Sequence, residues 1–380
     1  MFNYKNTKNP PLPEDLARIK NELKKKSPEQ KKASKPSLQE KRLIERIHTK
    51  TMYWNKNNVT RTKAYLNFYL QHPEIHWAFL GHMVSRNGGW NMTDLKGGLL
   101  SRLLTKKEAN RFFIFLERGN WLIFQDAYPQ FLLYEESLRR GRNLFHLLPH
   151  FHVSTFMETI WNDFWLYQNK YILTMSLVIN EQSYLEDRVI NHPKYKKEIF
   201  DSLEFMLQDL LSINHILFPY QKNGEIKLIG ETLHRFESLH ERILLGKRLY
   251  QLLLGETERK IAIEEWAKST AHTGSRKDYC PAIFNDIEEA VPGTFLKRRL
   301  MNCQLRPGAN RIYSPKLTTA WKNLNQADAE VGDWYRNWKV LYYLIDTNIT
   351  INGEIKNEYC KALEKLELAA IAKKVIPFMD

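Results

Sequence analysis

The sequence predicts an all-α protein: an irregular multi-helix domain with two possible sub-lobes and at most one or two very short strands. Apolar residues recur at helical spacing along most of the 380 residues. Only Gly224–Gly230 and Asn348–Gly353 have the short, turn-bounded pattern typical of strands. Hydrophobic residues make up 43% of the chain and aromatic residues 12%, which is enough for one large core or two modest ones.

Local signals support the helices that this periodicity predicts. Pro73 suits a first helical turn, where its missing N–H is not needed, and Gly141 suits a C-terminal cap because glycine tolerates positive φ. Between Phe236 and Leu253, apolar residues spaced three and four apart indicate one buried helix face. The predicted helices are Asp15–Lys26, Gln39–Thr51, His72–Ser85, Asn110–Phe124, Tyr128–Arg140, Phe156–Tyr184 (one long helix or two), Lys194–Leu217, Glu231–Leu254, Ile261–Ala271, Leu317–Leu324, Val331–Ile345 and Glu354–Lys373.

Positive charge is concentrated at the N-terminus. The net charge is +14, and residues 1–50 hold 14 Lys and Arg against 6 Asp and Glu. Residues 1–40 are also rich in Lys, Pro, Ser, Glu and Gln and poor in large apolar side chains, which favours disorder. We therefore expect residues 1–45 to be a basic, largely disordered arm. Residues 46–380 would form the helical domain, with a sub-lobe boundary near residues 218–230.

Cysteine usage and hydropathy favour a cytoplasmic protein. Cys280, Cys303 and Cys360 are far apart and form no CxxC pair, which favours reduced thiols over a disulfide scaffold or a zinc finger. No uninterrupted apolar run reaches the ~18–20 residues that a membrane-spanning helix needs. The N-terminus has no apolar signal region. We expect no integral membrane association.

The first candidate site lies where a predicted helix meets glycine pairs. His82 and Arg86 are one helical turn apart and lead directly into Asn87-Gly88-Gly89. Glycine pairs let backbone N–H groups approach a ligand closely, as in anion-binding nests. The alternative is a helix C-cap and tight turn without chemistry. The candidate residues here are His82, Arg86, Asn87, Gly88, Gly89, Asn91 and Asp94.

Two later loops have a similar composition. One places Gly-Ser-Arg beside a histidine, a set of backbone donors, hydroxyl and guanidinium that suits an oxyanion or a phosphate. The other has two arginines around a Pro-Gly turn, and no P-loop motif occurs in the chain. Each could also be an ordinary surface loop, and the site requires that the three segments meet in space. The candidate residues are His272, Gly274, Ser275, Arg276, Asp278, Arg306 and Arg311.

Two histidine-rich stretches are candidate metal sites. Glu-x-x-His occurs twice in Glu231–Glu241, as in di-iron bundles, but on a helix these side chains lie opposite the Phe236–Leu253 seam and face solvent. In His146–His152 a proline interrupts the i,i+4 histidine pair. We predict no metal site, and the sequence indicates no particular cofactor.

Three sequence runs resemble a known family. His76–Gly97, His272–Tyr279 and Ser314–Trp321 are similar to an uncharacterised bacterial family of Bacillus-type Firmicutes, the YppC-like domain of unknown function. The resemblance covers about residues 50–345 and leaves out the basic arm. It implies family membership only, because no activity, cofactor or catalytic residue comes with it.

The leading functional hypothesis is a protein that binds a phosphate-bearing partner, either nucleic acid or a nucleotide. Arginines would contact phosphate and exposed aromatic rings would stack on bases. The residues proposed for these roles are Arg86, Arg276, Arg306, Arg311, Trp90 and Tyr279. One alternative is a hydrolase or transferase acting on a phosphorylated or acyl substrate, with His82 or His272 as general base and Asp94 or Asp278 orienting it. A third is a helical scaffold that docks a protein partner.

Overall fold

The computed structural model describes residues 11–26, 35–195, 214–290, 296–345 and 351–375. The α-helices in this part are α1 (Glu14–Lys25), α2 (Leu38–Trp54), α3 (Asn58–Gln71), α4 (His76–Asp94), α5 (Leu100–Leu103), α6 (Lys106–Arg140), α7 (Thr155–Tyr167), α8 (Lys170–Leu185), α9 (Pro193–Tyr195), α10 (Leu239–Leu254), α11 (Thr257–Ser269), α12 (Leu317–Ala320) and α13 (Lys356–Val375). A π-helical turn, Glu186–Ile190, follows α8, and 3₁₀ turns lie at Phe145–Phe151, Arg276–Asp278 and Trp338–Leu344.

Short strands make the predicted all-α class an overstatement. They form three two-stranded sheets: β1 (His215–Lys222) antiparallel to β2 (Glu225–Thr232), β3 (Phe284–Asn285) parallel to β6 (Ile312–Tyr313), and β4 (Leu300–Met301) antiparallel to β5 (Gln304–Leu305). The described chain is therefore mostly helical with small sheets.

The β1–β2 hairpin corrects two predicted helices. Asn223 and Gly224 both have positive φ, 54° and 77°, as expected of an Asn-Gly turn that matches the twist of a hairpin. The strands include Leu217 and Glu231, so the helix predicted at Glu231–Leu254 begins only at Leu239. Most of the helix predicted at Lys194–Leu217 lies outside the described residues.

Several helix ends follow the capping chemistry of the sequence. The break predicted between Phe124 and Tyr128 does not occur. Capping boxes begin α2 at Ser37, α3 at Asn57 and α6 at Thr105. Gly141 ends α6 with φ of 61°, which confirms its predicted role. The helices predicted at Asn110–Phe124 and Tyr128–Arg140 are one continuous helix, α6, which also contains Pro129, a residue whose missing N–H removes one helical hydrogen bond.

Helix α4 runs through the middle of the core. It contacts α3, α6, α8, α10, α12 and β1, and most of its side chains are buried. The helix predicted to end near Ser85 continues to Asp94. The first candidate site therefore lies on a buried helix and not in a loop.

Part of the segment expected to be a disordered arm is folded. Helix α1 buries Leu16, Ile19 and Leu23 and contacts α7 and the 3₁₀ turn Trp338–Leu344. Its Arg18 Nε lies 2.9 Å from Asp163 Oδ1. The expected disorder therefore does not extend to α1, which is docked by both apolar burial and an ion pair.

Two cysteines are paired, contrary to the expectation of reduced thiols. Cys303 and Cys360 form a disulfide with a Cα–Cα distance of 5.2 Å, which is usual for such bonds. The bond joins the β4–β5 turn to α13. Cys280 is free, and burial raises the pKa of its thiol. In the described ranges, no helix combines the length and the apolar character that a membrane crossing requires.

Candidate functional site

The Gly88-Gly89 pair serves helix packing. The helix passes through both glycines without a positive φ, so no nest of turn amides forms there. A Cβ at Gly89 would collide with Asn58 Oδ1 and His272 Nε2, and one at Gly88 would come within 3.1 Å of Asn120 Oδ1. Glycine is needed here because α3 and the segment after α11 approach the α4 backbone closely.

His82 and Arg86 form a buried pair that holds the His82 ring in one tautomer. Arg86 Nε donates to His82 Nε2 at 3.0 Å, so Nδ1 carries the proton and donates to the Thr62 carbonyl at 2.8 Å. Burial lowers the pKa of His82 well below its usual value. Because both ring nitrogens are occupied, His82 has no free nitrogen with which to act as a general base.

The Arg86 guanidinium binds protein carbonyls. Its Nη2 donates to the Ala267 carbonyl at 3.2 Å and also to that of Thr270, and the group lies 4.6 Å from the ring centre of Trp266. Burial lowers the pKa of Arg86 to about 10. Only 1% of the residue is exposed, so Arg86 offers no surface to a phosphate partner.

His272 and Asp278 lie together, as the general-base hypothesis requires, but both nitrogens of the His272 ring face partners inside the protein. His272 Nδ1 is 3.6 Å from Asp278 Oδ2, and its Nε2 is 2.8 Å from Asn58 Oδ1. Asp278 also accepts hydrogen bonds from the backbone N–H and the hydroxyl of Thr273. Burial lowers the pKa of His272. The nitrogen that would face a substrate in a His–Asp pair instead holds α3 through Asn58.

All the donors of the Arg276 guanidinium are used inside the protein. Nε binds the Asp94 carboxylate at 2.8 and 2.9 Å, and Nη1 binds the hydroxyls of Tyr279 and Tyr359 at 2.7 and 2.9 Å. Nη2 reaches Asn91 Oδ1 at 3.2 Å and Asp94 Oδ2 at 2.7 Å. An arginine has five N–H donors, and none remains for a ligand. Arg276 thus joins α4, the 3₁₀ turn and α13.

The other residues predicted near these two segments also connect elements. Asn87 exchanges hydrogen bonds with the backbone of Leu217, which ties β1 to α4. Gly274 has φ of 84°, and its carbonyl accepts from Thr93 at 2.6 Å. Ser275 donates to the Ser314 carbonyl. The first two candidate segments therefore meet, as a buried scaffold.

The third segment touches this scaffold at Ser314, whose hydroxyl accepts from the Arg276 backbone N–H and whose carbonyl accepts from Ser275, but its two arginines have other partners. Arg311 binds Glu289 through both Nε and Nη2, and the Arg306 backbone N–H donates to the Arg299 carbonyl at 2.8 Å. In the described part of the chain, Arg306 and Arg311 share no hydrogen-bond or ion-pair partner with Arg86 or Arg276. The four arginines therefore do not converge on one common group.

The aromatic residues expected to stack on bases are buried. Trp90 is 0% and Tyr279 is 1% exposed. Their ring centres lie 4.5 Å apart, and Trp90 also packs edge-on against His272. The prediction that they are exposed is wrong, because α4 continues past the glycine pair and carries Trp90 into the core.

A cavity of about 230 Å³ lies among α3, α4, α6, α8, α10 and β1, and it meets the scaffold at Asn91, which lines the cavity and accepts from Arg276 Nη2. Apolar side chains supply most of its wall, including Leu80, Val84, Val178, Leu185, Leu245 and Leu249. Polar groups also reach it, among them Arg61, Tyr65, Trp77, Glu181, Gln182 and Arg242. An apolar cavity with a few polar groups is the usual form of a small-molecule site.

Two glycines allow close packing of the side chains and helices that line the cavity. A Cβ at Gly81 would lie 2.8 Å from the Trp77 ring, and a Cβ at Gly246 would lie 2.5 Å from Val178 Cγ1. The indole of Trp77 therefore lies against the α4 backbone, and α10 approaches α8 closely. Larger residues at either position would move the wall.

Glu181 is the titratable group that stands out in the cavity. Its carboxylate accepts hydrogen bonds from Gln182 Nε2 at 3.0 Å and from the Trp77 indole. Burial raises its pKa to about 8, and the nearby Asp126 carboxyl contributes in the same direction. Burial also raises the pKa of Asp126 to about 7. Perturbed carboxyl groups beside a cavity are typical of functional sites.

One local signal for Glu181 is present in the sequence. At 100° per residue, Val178, Glu181 and Leu185 share one face of α8. A carboxylate on an apolar face predicts a buried acid. The remaining wall comes mainly from five other elements, with Ile190, Leu233 and Phe236 from the connecting turns, and no spacing in the sequence indicates that they surround a cavity.

Fold and site together define a mostly helical protein with a buried polar scaffold and a ligand-sized cavity. A family model described as "Protein of unknown function (DUF2515)" matches residues 53–359. The chain belongs to this family, which confirms the resemblance seen in its sequence.

One relative is the "Uncharacterized protein YppC" of Bacillus subtilis (strain 168). It is 44% identical over 296 residues, which cover 78% of this chain and 84% of the relative. No solved structure matches the chain. Residues 53–359, which the family model matches, contain both the buried scaffold and the cavity.

Proposed function

We propose that this protein binds a small, largely apolar molecule in the cavity beside α4. The observation that carries the proposal is the cavity itself, about 230 Å³ in volume, with an apolar wall and a few polar groups on it. Filling an apolar space of this kind restores dispersion contacts that its lining lacks.

The size of the cavity sets the size of the molecule. A dry apolar cavity of about 150 Å³ holds a molecule the size of benzene. The space here therefore suits a single ring with one substituent or a short branched chain, and it is too small for a nucleotide.

The proposal is tested by filling the cavity. Val84→Phe adds four carbon atoms at a wall residue, and we expect it to weaken binding of benzyl alcohol at least 10-fold, as measured by ligand-observed NMR titration. The matched control is Ile261→Phe on the surface of α11, where the side chain is 48% exposed. It should bind like the wild type. Absence of benzyl alcohol binding to the wild type up to its solubility, or equal affinity in Val84→Phe, would refute the proposal.

Binding of a phosphate-bearing partner remains a second proposal, now placed on the surface of α2 and not at the buried arginines. It is supported by the net charge of +14 and by exposed cations on α2, such as Lys41 and Arg42. Lysine and arginine on a surface helix bind phosphates through charge and counterion release without a shaped pocket. Arg86 and Arg276 have no part in this version of the proposal.

A further inference from the structure

The charged groups on the cavity wall indicate which charge a ligand can carry. Two cations on the wall already have carboxylate partners: Arg61 Nη2 lies 2.5 Å from Glu117 Oε2, and Arg242 Nη2 is paired with Glu186. Each of these pairs is close to neutral as seen from the cavity. Their charges are compensated, although the buried Nε of Arg61 has no hydrogen-bond partner.

Glu181 differs because its carboxyl has hydrogen-bond donors but no cation. Its partners are Gln182 and the Trp77 indole, and within the described ranges no lysine, arginine or histidine forms an ion pair with it. Another carboxyl, that of Asp126, acts on it and raises its pKa further. Asp126 is held by Asn180 and Gln130, which are neutral.

Aromatic rings lie on the same wall. Trp77 and Tyr65 both line the cavity, and their ring centres are 5.3 Å apart in an edge-to-face arrangement. The faces of such rings attract cations, most strongly when water is excluded. A carboxyl and two aromatic rings are a set of groups that recognises an ammonium ion.

We propose, resting on the function proposed above, that the ligand of this cavity is an amine. Its ammonium group pairs with Glu181 beside Trp77 and Tyr65, and its apolar body lies against α8 and α10. Glu181 is partly buried on a mostly apolar wall, where an unpaired carboxylate is costly, and a ligand ammonium supplies the missing partner.

The proposal predicts a proton balance. Raised by burial to about 8, the pKa of Glu181 leaves its carboxyl mostly protonated at pH 7 in the empty protein. When an ammonium ion binds, the O–H bond of Glu181 breaks, its proton goes to solvent and the carboxylate pairs with the ammonium. Close to one proton is released per amine bound. The charged and titratable groups that surround Glu181 from the neighbouring elements are Arg61, Tyr65, Glu117, Asp126, Glu186 and Arg242.

A charge series on one molecular body tests the proposal. Benzylamine, benzyl alcohol and benzoate have similar size and differ in charge. We expect benzylamine to bind wild-type protein at least 10-fold more tightly than benzyl alcohol at pH 7, with benzoate weakest. In Glu181→Gln this preference should fall to near unity while benzyl alcohol still binds. Calorimetry in two buffers of different ionisation enthalpy should show proton release for benzylamine with the wild type and none with Glu181→Gln.

The control variant is Glu265→Gln, which removes one exposed carboxylate on α11 and should keep the wild-type preference for the amine. Equal binding of benzylamine and benzyl alcohol by the wild type, or an amine preference that survives in Glu181→Gln, would overturn the amine and leave the cavity function standing. Tightest binding of benzoate would do the same. Failure of all three probes to bind would overturn the function proposed above and this inference together.

Discussion

At the scale of single residues, polar groups in this protein mostly hold the core together. Arg276 illustrates this, because its five donors serve Asp94, Asn91 and two tyrosines. The same residue types at a surface would bind phosphate, and composition cannot distinguish the two situations. Burial decides, since a guanidinium enclosed by carbonyls, hydroxyls and a carboxylate has no donor left to offer.

Glycine substitutions separate packing from helix propensity. Gly89→Ala places a Cβ against Asn58 and His272, so we expect the free energy of unfolding to fall by about 1–3 kcal/mol. Gly119→Ala on α6 meets nothing within 4 Å and should raise it by about 0.5–1 kcal/mol through helix propensity. Urea unfolding followed by tryptophan fluorescence measures both. A Gly89→Ala variant as stable as the wild type would show that α4 is not packed this closely.

The Glu181 carboxyl predicts a pH-dependent stability difference. Its folded-state pKa of about 8 exceeds the unfolded value of about 4.3. The contribution of Glu181 to the free energy of unfolding is therefore fully present below the unfolded pKa, and it is lost as the pH rises to the folded pKa. Relative to Glu181→Gln, the wild type should lose stability between about pH 5 and pH 8, by at most about 1.4 kcal/mol per pH unit.

The comparison between variants is needed because buried histidines act in the opposite direction. Burial lowers the pKa of His76 to about 4, so its contribution grows as pH rises from the folded to the unfolded pKa. Subtracting the two urea-unfolding curves at each pH removes this effect. A difference between wild type and Glu181→Gln that stays constant from pH 5.5 to 8.5 would contradict a raised pKa at Glu181.

At the scale of elements, the spacing of apolar residues predicted the presence of helices better than the residues at which they begin and end. Helix α10 follows the Phe236–Leu253 pattern, but it starts at Leu239 because the preceding residues belong to the hairpin and the turn after it. Helix α6 runs through Pro129. The two differences have different causes. The Asn223-Gly224 turn before α10 is a local hairpin signal, whereas buried contacts along α6 keep it helical through Pro129.

The disulfide offers a prediction at the same scale. It links residues 57 apart in sequence, and a bond closing such a loop stabilises a protein by about 2–4 kcal/mol. We expect dithiothreitol to lower the free energy of unfolding by this amount in the wild type and to have no effect in Cys303→Ser.

Cys280→Ser, which removes the free thiol, is the control and should behave like the wild type. Peptide mapping of unreduced protein should recover Cys303 and Cys360 in one crosslinked peptide. Alkylation of both thiols in the unreduced, native protein would contradict the bond.

At the scale of the whole molecule, the basic charge is the feature that a polyanion would meet. If the second proposal holds, the full chain binds mixed-sequence DNA with an affinity that falls as salt increases. Lys41→Glu with Arg42→Glu should weaken binding and flatten the salt dependence, whereas Arg276→Gln should leave the slope unchanged. Fluorescence anisotropy at 50 and 200 mM salt provides the measurement. No binding at the lower salt concentration would refute the proposal.

The sequence by itself determined the helical character, the capped helix starts and the family, because these depend on neighbours within one or two turns or on matching residues. It also determined that α4 and the segment at His272 carry unusual polar residues. Only the tertiary structure decided that these residues are a scaffold, that Trp90 is buried and that six elements enclose a cavity. Burial, charge pairing and enclosed volume depend on groups far apart in the chain, and no local pattern encodes which of them meet.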